Sequence, residues 1–184
     1  MPALTEIAHV QCVELALGAD GAPPTEFRLF KAGWNETDKG PFFLDAQALA
    51  DTIAAYEKSG VDLKIDLEHD TFNKDAVAHR SDAKDARGWC QLAARDGELW
   101  AVNVSWTPDG ARRLAEKTQR YTSPVAGRDP QTKRIMFVRN IALVSEPATH
   151  CAQPLVAASK GPGCARGPVC DTLLAALTRR LTRR

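Results

Sequence analysis

The 184-residue chain contains no run of about 18 consecutive apolar residues, so a membrane-spanning helix is not expected. Its first residues, MPALTEIAHVQC, lack the basic start and apolar middle of a signal peptide, and a cytoplasmic product is the expectation. Cysteine is sparse and poorly spaced for metal or redox chemistry. The five residues Cys12, Cys90, Cys151, Cys164 and Cys170 include no C-x-x-C pair, and Cys164 and Cys170 lie six apart in a Gly/Pro-rich stretch. Reduced thiols are expected, with no structural zinc. An excess of charge of one sign is also missing, and a formal net charge of +1 argues against a general affinity for nucleic acid. There is no G-x-S-x-G elbow, which removes the α/β-hydrolase type of serine site.

What is present is the composition of an ordinary globular protein, 44% hydrophobic and 26% charged, at a length that suits one domain. The near-neutral total conceals an asymmetry. From Lys160 onward there are six basic residues and one acidic, net +5, which leaves the preceding body at net −4. The body is mildly acidic and the tail basic.

Strands dominate the reading along the chain. Thr25 to Lys31 (TEFRLFK) alternates as a strand, and AGWNETDKG follows as a turn. Asp45 caps a helix over Ala46 to Lys58, with apolar residues at helical spacing and Ser59-Gly60 as a left-handed stop. Val61 to His69 is the next strand. Asp70 to Arg87 has no period and many turn formers, which predicts a long exposed loop and a candidate substrate flap. In GWCQLAARDGELWAVNVSW two strands meet at Asp96-Gly97, the pair a tight hairpin turn requires. Thr107-Pro108 then opens a helix that ends near Gln119. YTSPVAG is a short apolar run broken by proline, and KRIMFVRNIALVSEPA is one long strand or two consecutive ones. SKGPGCARGPVCD is a linker by composition, and TLLAALTRRLTRR a short basic amphipathic helix.

His69 closes the strand VDLKIDLEH among acids, and three readings compete for it: a satisfied core residue, a metal ligand, or half of a catalytic pair. The metal reading needs Asp66, Glu68 and Asp70 to converge with His69. If the strand persists, those acids leave on one face while Leu63, Ile65, Leu67 and His69 leave on the other. The catalytic reading needs a nucleophile for histidine to deprotonate. Ser123 in RYTSPVAG is the best candidate, just after a helix and fixed by Pro124, although Ser-Pro is equally a plain turn former.

The segments IDLEH, ARGWCQLAARDGELWAVNVSWTPDGARRLAE, QRYTSPVAGRDPQTKRI and NIALVSEPA resemble, in order and spacing, the I protein of Mu-like phages and prophages, the protease-scaffold of head assembly. The resemblance covers residues 25 to 150 or so. Its most specific parts are the D-x-E-H box, the hairpin leading into V-x-W-T-P, and the R-Y-x-S-P box. That family looks like a distant relative of tailed-phage prohead proteases and herpesvirus assemblin.

The resemblance implies an α+β fold, with a mostly antiparallel, bent or barrel-like sheet and two or three helices. It implies a serine endopeptidase that cleaves itself and scaffold or capsid proteins during head assembly, with no cofactor and no metal. Carried over residue by residue, Ser123 becomes the nucleophile and His69 the general base. Asn140 of NIALV falls at the third position, where the wider group has His or Glu. Asparagine can hold an imidazole tautomer but lacks the charge that stabilises imidazolium, so Glu146, Asp66 or Glu68 are alternatives. Backbone amides near Ser123 and Gly127 would hold the oxyanion.

The expected division is a protease-like domain over 1–156, followed by a linker and basic helix over 157–184. The expected partners are scaffold and major capsid proteins and a second copy of the chain, with no nucleic acid and no membrane, in the host cytoplasm or inside the prohead. The Gly/Pro/Arg-rich tail is unlike an Ala/Glu-rich scaffold helix. It motivates a rival reading, a catalytically inactive structural or scaffold remnant of a prophage.

Overall fold

A computed structural model describes residues 22–148 and Leu155. The strands are β1 (Phe27–Phe30), β2 (Gly33–Asn35), β3 (Phe42–Leu44), β4 (Leu63–Leu67), β5 (Gly88–Arg95), β6 (Glu98–Trp106), β7 (Tyr121–Arg128) and β8 (Ile135–Val144). Between them lie α1 (Ala46–Ser59), a 3₁₀ turn (Asp70–Phe72), α2 (Lys74–His79) and α3 (Pro108–Ala115). Six strands form one sheet in the order β1-β6-β5-β4-β8-β7, and β2 and β3 form a separate hairpin. Every pairing in the large sheet is antiparallel except β4 with β8. The two edge strands, β1 and β7, come together and nearly close the sheet into a barrel. The fold is thus α+β with a mostly antiparallel, barrel-like sheet and three helices, as the resemblance implies.

Local chemistry accounts for the elements read correctly. Asp45 accepts from Ala48 N at 2.9 Å, and Gly60 ends α1 at φ 66°. The same Asp45 carboxylate takes Arg134 at 2.6 Å, tying the helix start to the β7–β8 turn. Asp96 and Gly97 turn the β5–β6 hairpin at φ 51° and 78°, both in the left-handed region that tight turn needs. Phe27, Phe30, Leu44, Ile65, Leu99 and Ile141 are buried in the core, and α1 packs on β8 and β5.

Other segments differ from the sequence reading. AGWNETDKG is not all turn: β2 and β3 flank its polar centre, held by the cross-strand pair of Trp34 and Phe43, with ring centroids 4.8 Å apart. The strand expected over Val61 to His69 covers Leu63–Leu67 alone, because Glu68 and His69 both adopt left-handed φ, 49° and 61°. The third helix stops at Ala115 rather than near Gln119, and Lys117 follows at φ 59°.

YTSPVAG lies wholly inside β7. Pro124 is tolerated there because β7 is an edge strand with one side of its ladder unpaired. KRIMFVRNIALV contributes one long strand, β8.

Asp70 to Arg87 is largely exposed, as expected, but it is not without regular structure. It carries the 3₁₀ turn and α2, whose start Asn73 caps by accepting from Asp75 N and Ala76 N. Asp70, Ala83 and Arg87 within it are buried. Ion pairs of Arg80 with Asp70 (2.5 Å), and of Arg87 with Asp82 (2.7 Å) and Asp109 (3.1 Å), organise it. Its order comes from side-chain caps and charges, which leave no hydrophobic period to read. The linker and basic helix expected over 157–184, and Cys12, Cys151, Cys164 and Cys170, lie outside the described residues. Leu155 is buried and donates its N–H to Arg120 O.

Candidate active site

The site is built where β4, β8 and β7 run side by side. Alternation sends Ile65 of β4 and Ile141 of β8 into the core, so Asp66, Asn140 and Ala142 take the opposite face. Asp66 pairs with Ala142 on one side of β8, and Ser123 pairs with Ala142 on the other. Paired residues share a face, so the carboxyl group of Asp66 and the hydroxyl of Ser123 lie on the same side of the sheet.

His69 reaches this region because the strand breaks. Two successive left-handed residues, Glu68 and His69, reverse the chain into the 3₁₀ turn, with Phe72 N donating to His69 O at 3.0 Å. Thr71 N then donates to Asp66 Oδ2 at 3.3 Å, which fastens the turn to the sheet. His69 and Ser123 line one cleft of about 270 Å³, together with Phe30, Phe42, Phe72 and the stretch Pro124 to Ala126. The cleft occupies the seam between the two edge strands, and Lys39 and Thr37 also line it. The expectation that His69 leaves on the face away from Asp66 is therefore overturned, because the chain turns back before alternation could carry it there.

The electrostatics suit a base. His69 is held below the usual imidazole value of 6.5, first by burial and also by Lys39, while Asp66 and Glu68 pull the other way. The neutral ring is the form that accepts a proton. Its Nδ1 is buried without a hydrogen-bond partner, which leaves Nε2 as the nitrogen able to serve the cleft.

Asn140 is buried and donates Nδ2 to Asp66 Oδ2 at 2.9 Å, so it holds a carboxyl group directly. Asp66 Oδ1 and Asn140 Oδ1 are buried without partners, as is Nδ1 of His69. The alternatives for a third member separate clearly. Glu146 is exposed, and Glu68 is exposed with Oε1 accepting from Ser145 N at 2.9 Å. Asp66 is fully buried. Among the described residues no three His, Cys, Asp or Glu side chains are grouped as a metal site, and no helix is long and apolar enough to cross a membrane.

Sequence reasoning named Ser123, His69 and Asn140, but it missed the aromatic wall of the cleft and saw Asp66 only as one acid among several. Phe30, Phe42 and Phe72 come from separate elements, and no local spacing connects them. The family model described as Mu-like prophage I protein, N-terminal domain, matches residues 27–156. No curated protein and no solved structure matches the chain.

Proposed function

This chain belongs to the Mu-like prophage I protein family, and on that premise we propose that it is a serine endopeptidase of the prohead-maturation type. The observation that carries the proposal is the meeting of His69 and Ser123, far apart in sequence, in one cleft at the barrel seam. The apolar, aromatic lining suits the side chains of an extended peptide, and the open edge of β7 runs along it.

In the proposed mechanism neutral His69 takes the Ser123 hydroxyl proton through Nε2 as Oγ attacks the scissile carbonyl. The imidazolium then returns that proton to the leaving amine, and water releases the acyl group by the same base. Backbone N–H groups around Ser123 are the oxyanion donors in this reading. The proposed substrates are the chain itself and phage scaffold and capsid proteins, met in the host cytoplasm or the prohead. No cofactor enters the proposal.

A second reading, an inactive structural relative, draws on the depth of Ser123, which is 4% exposed. Mass spectrometry of wild type and Ser123→Ala, each co-expressed with a candidate scaffold or capsid protein, separates the two. Loss of a serine nucleophile costs on the order of 10⁶ in rate, so fragments should appear with wild type alone. Identical products from both chains, or none from either with the cognate partners present, would support the inactive reading.

A further inference from the structure

We infer that Asp66, rather than Asn140, is the positioning residue behind His69: its free Oδ1 accepts the Nδ1 proton of the imidazole, and Asn140 serves by fixing the carboxyl group. This deepens the peptidase reading and rests on it for the catalytic consequence only.

Three observations converge. Asp66 is fully buried, and Oδ2 is already held from two sides, by Asn140 Nδ2 at 2.9 Å and Thr71 N at 3.3 Å. A carboxyl group pinned at one oxygen presents the other in a fixed direction, and that oxygen is buried without a partner. The second polar atom left in that condition is Nδ1 of His69, three residues along a chain that has just turned back on the strand. Buried polar groups seek partners, because leaving one unmet forfeits its hydration with nothing in return. A donor N–H and an acceptor oxygen left unpaired on either side of the same strand end are complementary.

The amide of Asn140 is the rival partner, since its Oδ1 is also unpaired. Its Nδ2 faces Asp66, the orientation chemistry requires, because a carboxylate accepts and an amide oxygen cannot donate. A neutral amide would set the tautomer but give nothing to the imidazolium. The aspartate would do both. The charged groups that act on the ring are Asp66 from β4, Glu68 from the turn and Lys39 from the β2–β3 loop. The β7 groups that share its cleft, Ser123 to Ala126, carry no charge, and the β8 cation, Arg139, stacks on the Phe72 ring at 5.3 Å.

The test is nitrogen-15 NMR of histidine in the full chain carrying Ser123→Ala, which needs no activity. The Nδ1-protonated tautomer should predominate for His69. Asp66→Asn should move the His69 titration to lower pH, further than Glu68→Gln does, and Asp66→Glu should restore it. A predominant Nε2-protonated tautomer, or a titration unmoved in folded Asp66→Asn while Asn140→Ala changes the tautomer, overturns the assignment. Should Asp66→Asn fail to fold, Asn140→Ala in the same chain decides: a retained Nδ1-protonated tautomer leaves Asp66 as the partner, and its loss makes the amide the partner. In chains retaining Ser123, Asp66→Asn should lower kcat on the order of 10⁴ with little change in KM. The expected tautomer and Asp66→Asn shift, with no cleavage of cognate partners by the chain that retains Ser123, would defeat the peptidase reading and leave this pairing standing.

Discussion

Ser123 of β7 and Asp66 of β4 pair with the same residue, Ala142 of β8, from opposite sides. Two strand spacings separate them, roughly 10 Å of sheet, and their side chains share a face. An alcohol and a carboxyl group at that distance cannot touch, but an imidazole between them can reach both. In the proposed site the reversal at Glu68 and His69 supplies that imidazole, from a turn that shares a cleft with Ser123.

On the proposed mechanism, the pH dependence of cleavage follows from the state of His69. The imidazole must be neutral to accept the Ser123 proton, and burial holds its pKa below 6.5. A depressed pKa keeps the base form present further into acid, so activity should be full at neutral pH and should be lost as pH falls through the lowered value. The acid midpoint of kcat/KM should therefore lie below 6.5. Lys39→Gln removes a cation that helps depress the value and should move the midpoint up, less so at high salt because Lys39 is exposed. A midpoint well above that of free imidazole would show that another group limits the rate.

Gly110, in the first turn of α3, packs directly on the Arg87 backbone. A Cβ there would overlap the Arg87 carbonyl oxygen, which already accepts from Thr107 N and Thr107 Oγ1, both at 3.0 Å. Arg87 N in turn donates to Ile65 O at 2.6 Å, so this backbone cannot yield without disturbing β4. Gly110→Ala should cost about 1–3 kcal/mol, as overpacking does, and lower the thermal midpoint by several degrees. An unchanged melting curve would mean that the helix start is free to shift.

How much could be read in advance depended on how far apart the deciding residues lie. The β5–β6 hairpin and both helix starts were legible because Asp96-Gly97, Asp45 and Thr107-Pro108 act within a few residues of themselves. The reversal at His69 was not, since neither Glu68 nor His69 is glycine and nothing local announces two left-handed residues in a row. The role of Asp66 depends on β4 pairing with β8 and on Asn140 arriving from β8, contacts that no short pattern encodes. Ser123 could be named yet not placed, because a proline beside it argued for a turn, and only the edge position of β7 permits it in a strand.

Cys90 lies on β5, fully buried, and its thiol is pushed up to about 12 by burial, with Asp62 adding to the effect. The thiolate is the reactive form, so at neutral pH this residue should be inert in the native protein. Iodoacetamide followed by peptide mapping should label Cys90 in denaturant and leave it unmodified without denaturant. Rapid native labelling would place it at an open surface.

The segment from Asp70 to Arg87 gives the last expectation, because its hydrogen bonds and ion pairs weigh against a freely moving flap. Its amides are engaged in sequence: Phe72 N to His69 O at 3.0 Å, Asn73 N to Asp70 O at 3.1 Å, and Arg80 N to Ala76 O at 2.8 Å. Lys64 Nζ holds it from below through Thr71 Oγ1 at 2.8 Å and Lys84 O at 3.2 Å. Asp70, buried, faces Arg80 across the segment. Hydrogen exchange should therefore be slower at Phe72, Asn73 and Arg80 than at the exposed residues Gln131 and Thr132, whose amides bond Asp129 Oδ1 in the β7–β8 turn. Arg80→Ala leaves Asp70 buried without its cation and should speed exchange from Asn73 to Arg80 several-fold, the effect being limited by the exposure of Arg80. Because the turn that carries His69 is continuous with this segment, the same variant should lower peptidase activity without touching the cleft. Exchange at solvent rates throughout the segment in the parent chain would restore the flap.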